Sequence, residues 1–416
     1  KVQKHALDCI TRVQDSDLTK YFPIWKKLAD PKTFKDEMLA FRLDKELEEA
    51  PERAKKALLE VSVSLLYPKI FEKKGRKKKS FLETNRTIIF NFFAFLDSNQ
   101  VGFLINLLLR NYGLPYKNIS SLNKEQLTYW LANVEIFKLL SFGSALKNII
   151  DQFGTILLPY LSEIFELLTA AIHLTVLLRG DLKTSAKDFK KVRTERELEK
   201  DEETTIRVVS GAKKLYQACL KRMCQIYQRY TVTKEHSDLT FSLYQSLQSS
   251  IENLFRESST SVSHLLKLFV VWSDKEECLH YFDQYNTIIP NIAKIYGQPK
   301  ITRSVTDSIN LILLRICEFA AVSQDLMLEN NTVAKETAEK LLKANLHLIV
   351  KNFSIFFRRN SLVKKRRVWR PDLKVIKILL VLSQYLGEHE NIDDILTLFR
   401  SIMDAKYINK SFTARK

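Results

Sequence analysis

Glycine and proline are scarce in this chain, with 9 of each among 416 residues. All-β and doubly wound α/β folds use glycine in tight turns and phosphate loops, so the scarcity excludes both. No Gly-Lys dipeptide occurs, which removes the phosphate-cradling P-loop. No serine lies in a G-x-S-x-G context, and no spaced glycine triplet follows a strand-like run. Cysteine is sparse too. Five is an odd number without framework spacing, as expected of thiols buried in a reducing compartment. His5 and Cys9 share a helix face, but the other candidates (Cys219, Cys224, Cys278, His280) are scattered, and zinc needs four ligands. Long apolar runs are missing as well. The greasiest, Leu167–Leu178, contains His173 and has about half the length that spans a bilayer. No signal peptide is visible, and the expectation is a soluble intracellular protein. The chain opens without Met inside a helical pattern and reads as part of something longer.

What is present is helix former and positive charge. Apolar residues make up 45% of the chain, enough for a folded core. Lys and Arg number 66 against 48 Asp and Glu, a formal charge of +18, which predicts attraction to polyanions without specifying a fold. The paired acids Glu48-Glu49 and Asp393-Asp394 lie near helix starts, where negative charge favours the helix dipole; nothing ties them to acid–base catalysis. No enzyme activity, cofactor or metal is expected.

Tyr285–Phe319 shows the local grammar most clearly. Ile288, Ile289, Ile292 and Ile295 predict one helix, in which Pro290 is tolerable because a first-turn residue has no intrahelical use for its N–H. Gly297, as a left-handed cap, and Pro299 are expected to end it. Ile301, Val305, Ile309, Ile312, Leu313 and Ile316 then form a stripe at steps of three and four. Neither helix can hide its stripe alone, and stacking on neighbours is the logic of an α-solenoid. Two apolar residues, a proline, and apolar residues two and five places on recur at Pro23, Pro159 and Pro290. The intervals, 136 and 131 residues, suit about three degenerate helix pairs of ~40 residues each. The fold class is all-α, a HEAT-like solenoid of antiparallel helix pairs.

Further helices are predicted at 18–30, 53–71, 82–96, 100–110, 124–140, 205–229, 239–255, 264–272, 332–357, 372–386 and 392–403. Ala145–Leu178 reads as a second clean pair, with Gly154 as a break, Thr155 as a cap, and Leu158 on the apolar face of the second helix. Residues 181–203 lose periodicity and shift from basic (Lys187, Lys190, Lys191, Arg193) to acidic (Glu199, Asp201, Glu202, Glu203). They are read as a flexible linker between repeat blocks at 1–180 and 204–416.

Two basic runs are the candidate site. Lys73, Lys74, Arg76, Lys77, Lys78 and Lys79 form the first; Lys364, Lys365, Arg366, Arg367 and Arg370, with Trp369 embedded, form the second. Neither fits a core-facing stripe, so both belong in inter-helix loops. Three readings compete: a solubilising loop, a nuclear import signal, and contact with nucleic-acid phosphate, with Trp369 stacking on an unpaired base. No base-reading module is present, so sequence specificity is not expected.

VQKHALDCI (Val2–Ile10), TFKDEMLAF (Thr33–Phe41) and HLLKLFVVWS (His264–Ser273) resemble the DRIM family, very large HEAT-repeat proteins known as component twenty of the U3-associated small-subunit processome. The likeness runs in order to about Ser273 and departs at Leu66-Tyr67-Pro68, where the family tends to carry a Gly after the Tyr. It implies a nuclear, nucleolar scaffold in small-subunit ribosome assembly, with pre-ribosomal RNA (the U3 snoRNA and pre-18S rRNA region) and processome proteins as partners, and no cofactor. The alternatives are a HEAT-repeat nuclear transport receptor, a class usually acidic where this chain is basic, and a kinase-associated HEAT scaffold.

Overall fold

A computed structural model describes residues 7–8, 16–71, 79–110, 136–188, 195–230, 237–321, 329–362 and 373–385. Among them no strand occurs, and the chain is an all-α protein of solenoid type. It forms two compact units, Lys1–Tyr230 and Thr231–Lys416.

The first unit contains α1 (Ser16–Thr19), α2 (Phe22–Ala29), α3 (Phe34–Ala40), α4 (Leu43–Glu49), α5 (Glu52–Phe71), α6 (Lys79–Phe93), α7 (Ser98–Arg110), α8 (Ile136–Phe153), a 3-10 segment at Gly154–Tyr160, α9 (Leu161–Asp188) and α10 (Glu195–Arg229). Packing runs between near neighbours: α2 on α3 and α5, α5 on α6, α6 on α8, and α8 and α9 on α10. Trp25, fully buried, donates from Nε1 to Ser62 Oγ at 3.1 Å and so fixes α2 against α5. A reciprocal capping box starts α7: Gln100 N donates to Asp97 Oδ1 at 2.9 Å, and Asp97 N donates to Gln100 Oε1 at 3.1 Å. The end of α9 and the start of α10 reach into 181–203, the stretch read from sequence as a linker, and the division between the two units falls after Tyr230.

The second unit contains α11 (Ser237–Glu252), α12 (Leu254–Glu257), α13 (His264–Trp272), α14 (Glu276–Gln284), α15 (Ile288–Tyr296), α16 (Arg303–Ala320), α17 (Glu329–Leu362) and α18 (Leu373–Gln384). Here α14, α15 and α16 pack on α17, α13 packs on α16, and α18 packs on α16. Trp272 sits within aromatic contact of Phe269, Tyr281 and Phe282. Ser263 caps α13, accepting from Leu266 N at 3.1 Å.

The proline grammar has a common packing meaning. At all three copies the residue two before the proline (Tyr21, Leu157, Ile288) and those two after (Trp25, Leu161, Ile292) and five after (Leu28, Ile164, Ile295) are buried. The residue just before the proline is the weak position, because Leu158 is 50% exposed where Phe22 and Ile289 are covered. Leu158 lies in the 3-10 segment, whose three residues per turn throw it off the α-helical stripe. Thr155 falls inside that segment rather than capping it.

Gly297 is also not as expected. Its φ of −69° is right-handed, so no left-handed cap forms. A Cβ there would instead meet Asn352 Oδ1 at 2.9 Å, so the glycine serves the close approach of α17. The left-handed glycine is Gly154, φ +50°, at the break between α8 and α9. That break interrupts an apolar stretch, Leu139–Val176, longer than the sequence reading took it and sufficient by length and composition alone to cross a membrane. Its side chains serve packing, with Ile149, Ile150, Phe153, Phe165, Leu168 and Ile172 all buried.

Candidate nucleic-acid interface

The two basic runs lie almost wholly outside the described residues. Lys73, Lys74, Arg76, Lys77 and Lys78 fall there, as do Lys364, Lys365, Arg366, Arg367, Trp369 and Arg370. Lys79 is the first residue of α6. The described structure does supply the ground on which each run stands. The first joins α5 to α6, which pack together. The second joins α17 to α18, both packed on α16.

At the foot of the first run Arg86 is only 2% exposed. It donates from Nε to Ile70 O at 2.8 Å, in the last turn of α5, and from Nη2 to Ser141 Oγ at 3.0 Å. Nearby, the buried Lys69 sends its ammonium 4.8 Å from the centroid of the Phe34 ring, with Ala29 O at 3.4 Å. At the foot of the second run, Arg359 donates from Nη1 to Gly297 O at 2.5 Å, just past the end of α15.

These contacts belong to a wider pattern that sequence reasoning missed. Arg229 donates to Ile150 O at 3.0 Å near the end of α8, and Arg315 donates to Val270 O at 2.7 Å near the end of α13. Arg229 also pairs with Asp151 at 2.6 Å, and Arg315 with Asp274 at 2.6 Å. Four arginines therefore each close the carbonyl end of another helix, where backbone acceptors lack intrahelical donors and the dipole favours a cation. Part of the positive charge is thus structural. No residue periodicity marks such a donor, because its acceptor is a backbone atom at least sixteen residues away in sequence.

Concavities occur among the described residues. One, about 190 Å³, lies between α3 and α6, where Leu39 and Phe95 are 77% and 63% exposed. Arg42 lies over the Phe95 ring, and its hydrogen bond holds the Asp44 carboxyl below the usual carboxylate range. The other, about 320 Å³, lies in the second unit and is lined by Thr260, Lys300, Thr302, Phe356 and Arg359 among others.

The titratable core groups are those of a packed interior. Burial pushes the thiols of Cys219, Cys278 and Cys317 up to about 12, opposite to an activated nucleophile. Burial raises the Tyr296 hydroxyl likewise. Among the described residues no group of three or more His, Cys, Asp or Glu could hold a metal ion; His5 and Cys9 lie outside them.

The arrangement defines an all-α helical-repeat protein whose surface charge is positive and whose buried polar groups serve packing. Residues 1–412 match the family model described as "U3 small nucleolar RNA-associated protein 20, N-terminal", and the chain belongs to that family. It is 21% identical over 413 residues to U3 small nucleolar RNA-associated protein 20 of Schizosaccharomyces pombe (strain 972 / ATCC 24843), an alignment covering 97% of this chain. The chain spans 15% of that relative's length. The family resemblance carried by Val2–Ile10, Thr33–Phe41 and His264–Ser273 is therefore right, and the match extends well beyond Ser273.

Proposed function

We propose that this chain is a non-catalytic scaffold segment in nucleolar small-subunit ribosome assembly, working within the U3-containing processome and holding pre-ribosomal RNA and proteins. Family membership over residues 1–412 carries the reading, and the formal charge of +18 supports it independently. In this reading the RNA contacts come from Lys73, Lys74, Arg76, Lys77, Lys78 and Lys79, and from Lys364, Lys365, Arg366, Arg367 and Arg370, with Trp369 stacking on an unpaired base. The first run follows α5, whose last turn Arg86 holds at Ile70 O, and the second follows Arg359 of α17, which is tied to Gly297 O. The charge argues against a nuclear transport receptor.

The test is in-cell UV crosslinking of RNA, with sedimentation of the protein before and after RNase treatment. Crosslinks to pre-ribosomal RNA and RNase-sensitive co-sedimentation with large particles are expected. Release of a bound partner by the GTP form of Ran, without RNA crosslinks, would overturn the scaffold in favour of a carrier. In vitro, neutralising Lys364, Lys365, Arg366 and Arg367 together should flatten the salt dependence of single-stranded RNA binding by up to ~2.8 in log–log slope, at ~0.7 per phosphate. Unchanged affinity at low salt sinks the role of that run.

A further inference from the structure

We infer that the concavity lined by Thr260, Lys300, Thr302 and Arg359 is a binding site for a backbone phosphate of single-stranded RNA. The inference rests on the RNA-binding reading above and gives it a defined place on the described surface. The cavity is large enough, at about 320 Å³, for a phosphate with its flanking sugar, and no carboxylate lines it among the described residues. Two cations do. Arg359 uses one N–H on Gly297 O, at 2.5 Å, and a guanidinium has five donors in a fixed plane. That single bond orients the group and leaves donors for an anion. Lys300 is exposed and has no hydrogen bond or ion pair within the described structure.

Hydroxyls complete the set. Thr302 precedes α16 without using its side chain to cap the helix; its Oγ1 lies 3.2 Å from Ser304 Oγ and faces exposed surroundings. Thr260 brings a second hydroxyl. An anionic oxygen surrounded by a planar guanidinium, an ammonium and hydroxyls is the contact set that proteins use on nucleic-acid backbone. On the helix that Thr302 precedes, the Asp307 carboxylate is paired with Arg303 at 3.8 Å.

RNA is favoured over another polyanion by position. Arg359 precedes Lys364, the first cation of the second basic run, by five residues, so even a fully extended chain keeps that residue within ~18 Å of Arg359. That is about three nucleotides of extended strand, so one strand can meet both.

The test uses a fluorescein-labelled 20-nucleotide oligouridylate and the whole protein, with affinity read by anisotropy between 0.05 and 0.3 M salt. One lost phosphate contact removes ~0.7 from the salt slope, which is about fourfold in affinity at 0.15 M. Lys300→Ala should show that loss, Lys300→Glu a larger one, and Arg359→Gln a loss comparable to Lys300→Ala. Lys300 makes no contact that folding needs, so its variants separate binding from stability. If Lys300→Glu matches the wild type in both affinity and slope while the Lys364, Lys365, Arg366, Arg367 variant is weakened, the cavity is overturned and the RNA reading stands. If the wild type fails to bind the oligouridylate at all, both fall. Binding of a phosphoserine peptide, dependent on Lys300 and unaffected by competing RNA, overturns the RNA assignment in favour of a protein ligand.

Discussion

Tyr296→Phe removes one oxygen from the interior of the second unit and leaves nearly everything else in place. Tyr296 and Asn310 are 0% and 1% exposed, and the tyrosine hydroxyl donates to Asn310 Oδ1, joining α15 to α16. The ring itself stacks on Phe353 at 4.5 Å between centroids and meets Phe356 edge-on at 5.6 Å, contacts a phenylalanine keeps. The loss is therefore confined to the hydrogen bond and to the acceptor stranded without a donor, about 1–3 kcal/mol. For a cooperative unit of this size, 2 kcal/mol lowers Tm by roughly 4–8 °C. Asn310→Leu should cost a similar amount by stranding the hydroxyl instead. The double variant should cost less than the sum of the two by at least ~1 kcal/mol, because it strands neither group. Calorimetry and urea unfolding of the four proteins measure this. A Tyr296→Phe variant within ~0.5 kcal/mol of the wild type, or strictly additive losses, would refute the reasoning.

Two further outcomes follow from buried groups. The unfolded chain releases thiol protons near pH 9, while burial holds those of Cys219, Cys278 and Cys317 to about 12. Stability conferred by these neutral thiols is full below pH 9 and is lost as pH rises from 9 toward 12, by up to ~1.4 kcal/mol per pH unit for each thiol. Urea midpoints measured from pH 8 to 10.5 under reducing conditions check it, and replacing all three by Ala should remove most of the slope. Arg86→Met strands Ile70 O and Ser141 Oγ at the foot of the first basic run and should destabilise by about 2–4 kcal/mol in urea unfolding. Arg86→Lys should recover only part, since an ammonium cannot hold both acceptors in the guanidinium plane.

The helix class and several elements were legible from spacing alone. His264–Trp272 has the bounds expected of it, and Val305, Ile309, Ile312, Leu313 and Ile316 all face inward. What spacing missed were short amphipathic pieces such as Leu43–Glu49 and Glu276–Gln284, where two turns give too few apolar repeats to stand out. The break at Asn253, which ends one helix before Leu254, escaped for the same reason. Gly297 was misread because its value lies in what touches it, Asn352, rather than in its own dihedrals. The basic runs were visible as composition. The cavity at Lys300 and Arg359 was not, because it assembles residues up to 99 apart, from one helix (α17) and from the turns before α13 and α16.

The near-neighbour packing has a consequence for synthesis. Within each unit some helices lie against the next in sequence, as α5 does with α6 and α16 with α17. Contacts of this kind close short loops, so little entropy must be lost before each one forms. Each pair can therefore settle as it leaves the ribosome, without waiting for distant segments. In a chain aligned with 15% of a far longer relative, such order of emergence limits the time that unpaired apolar stripes stay exposed to misassociation.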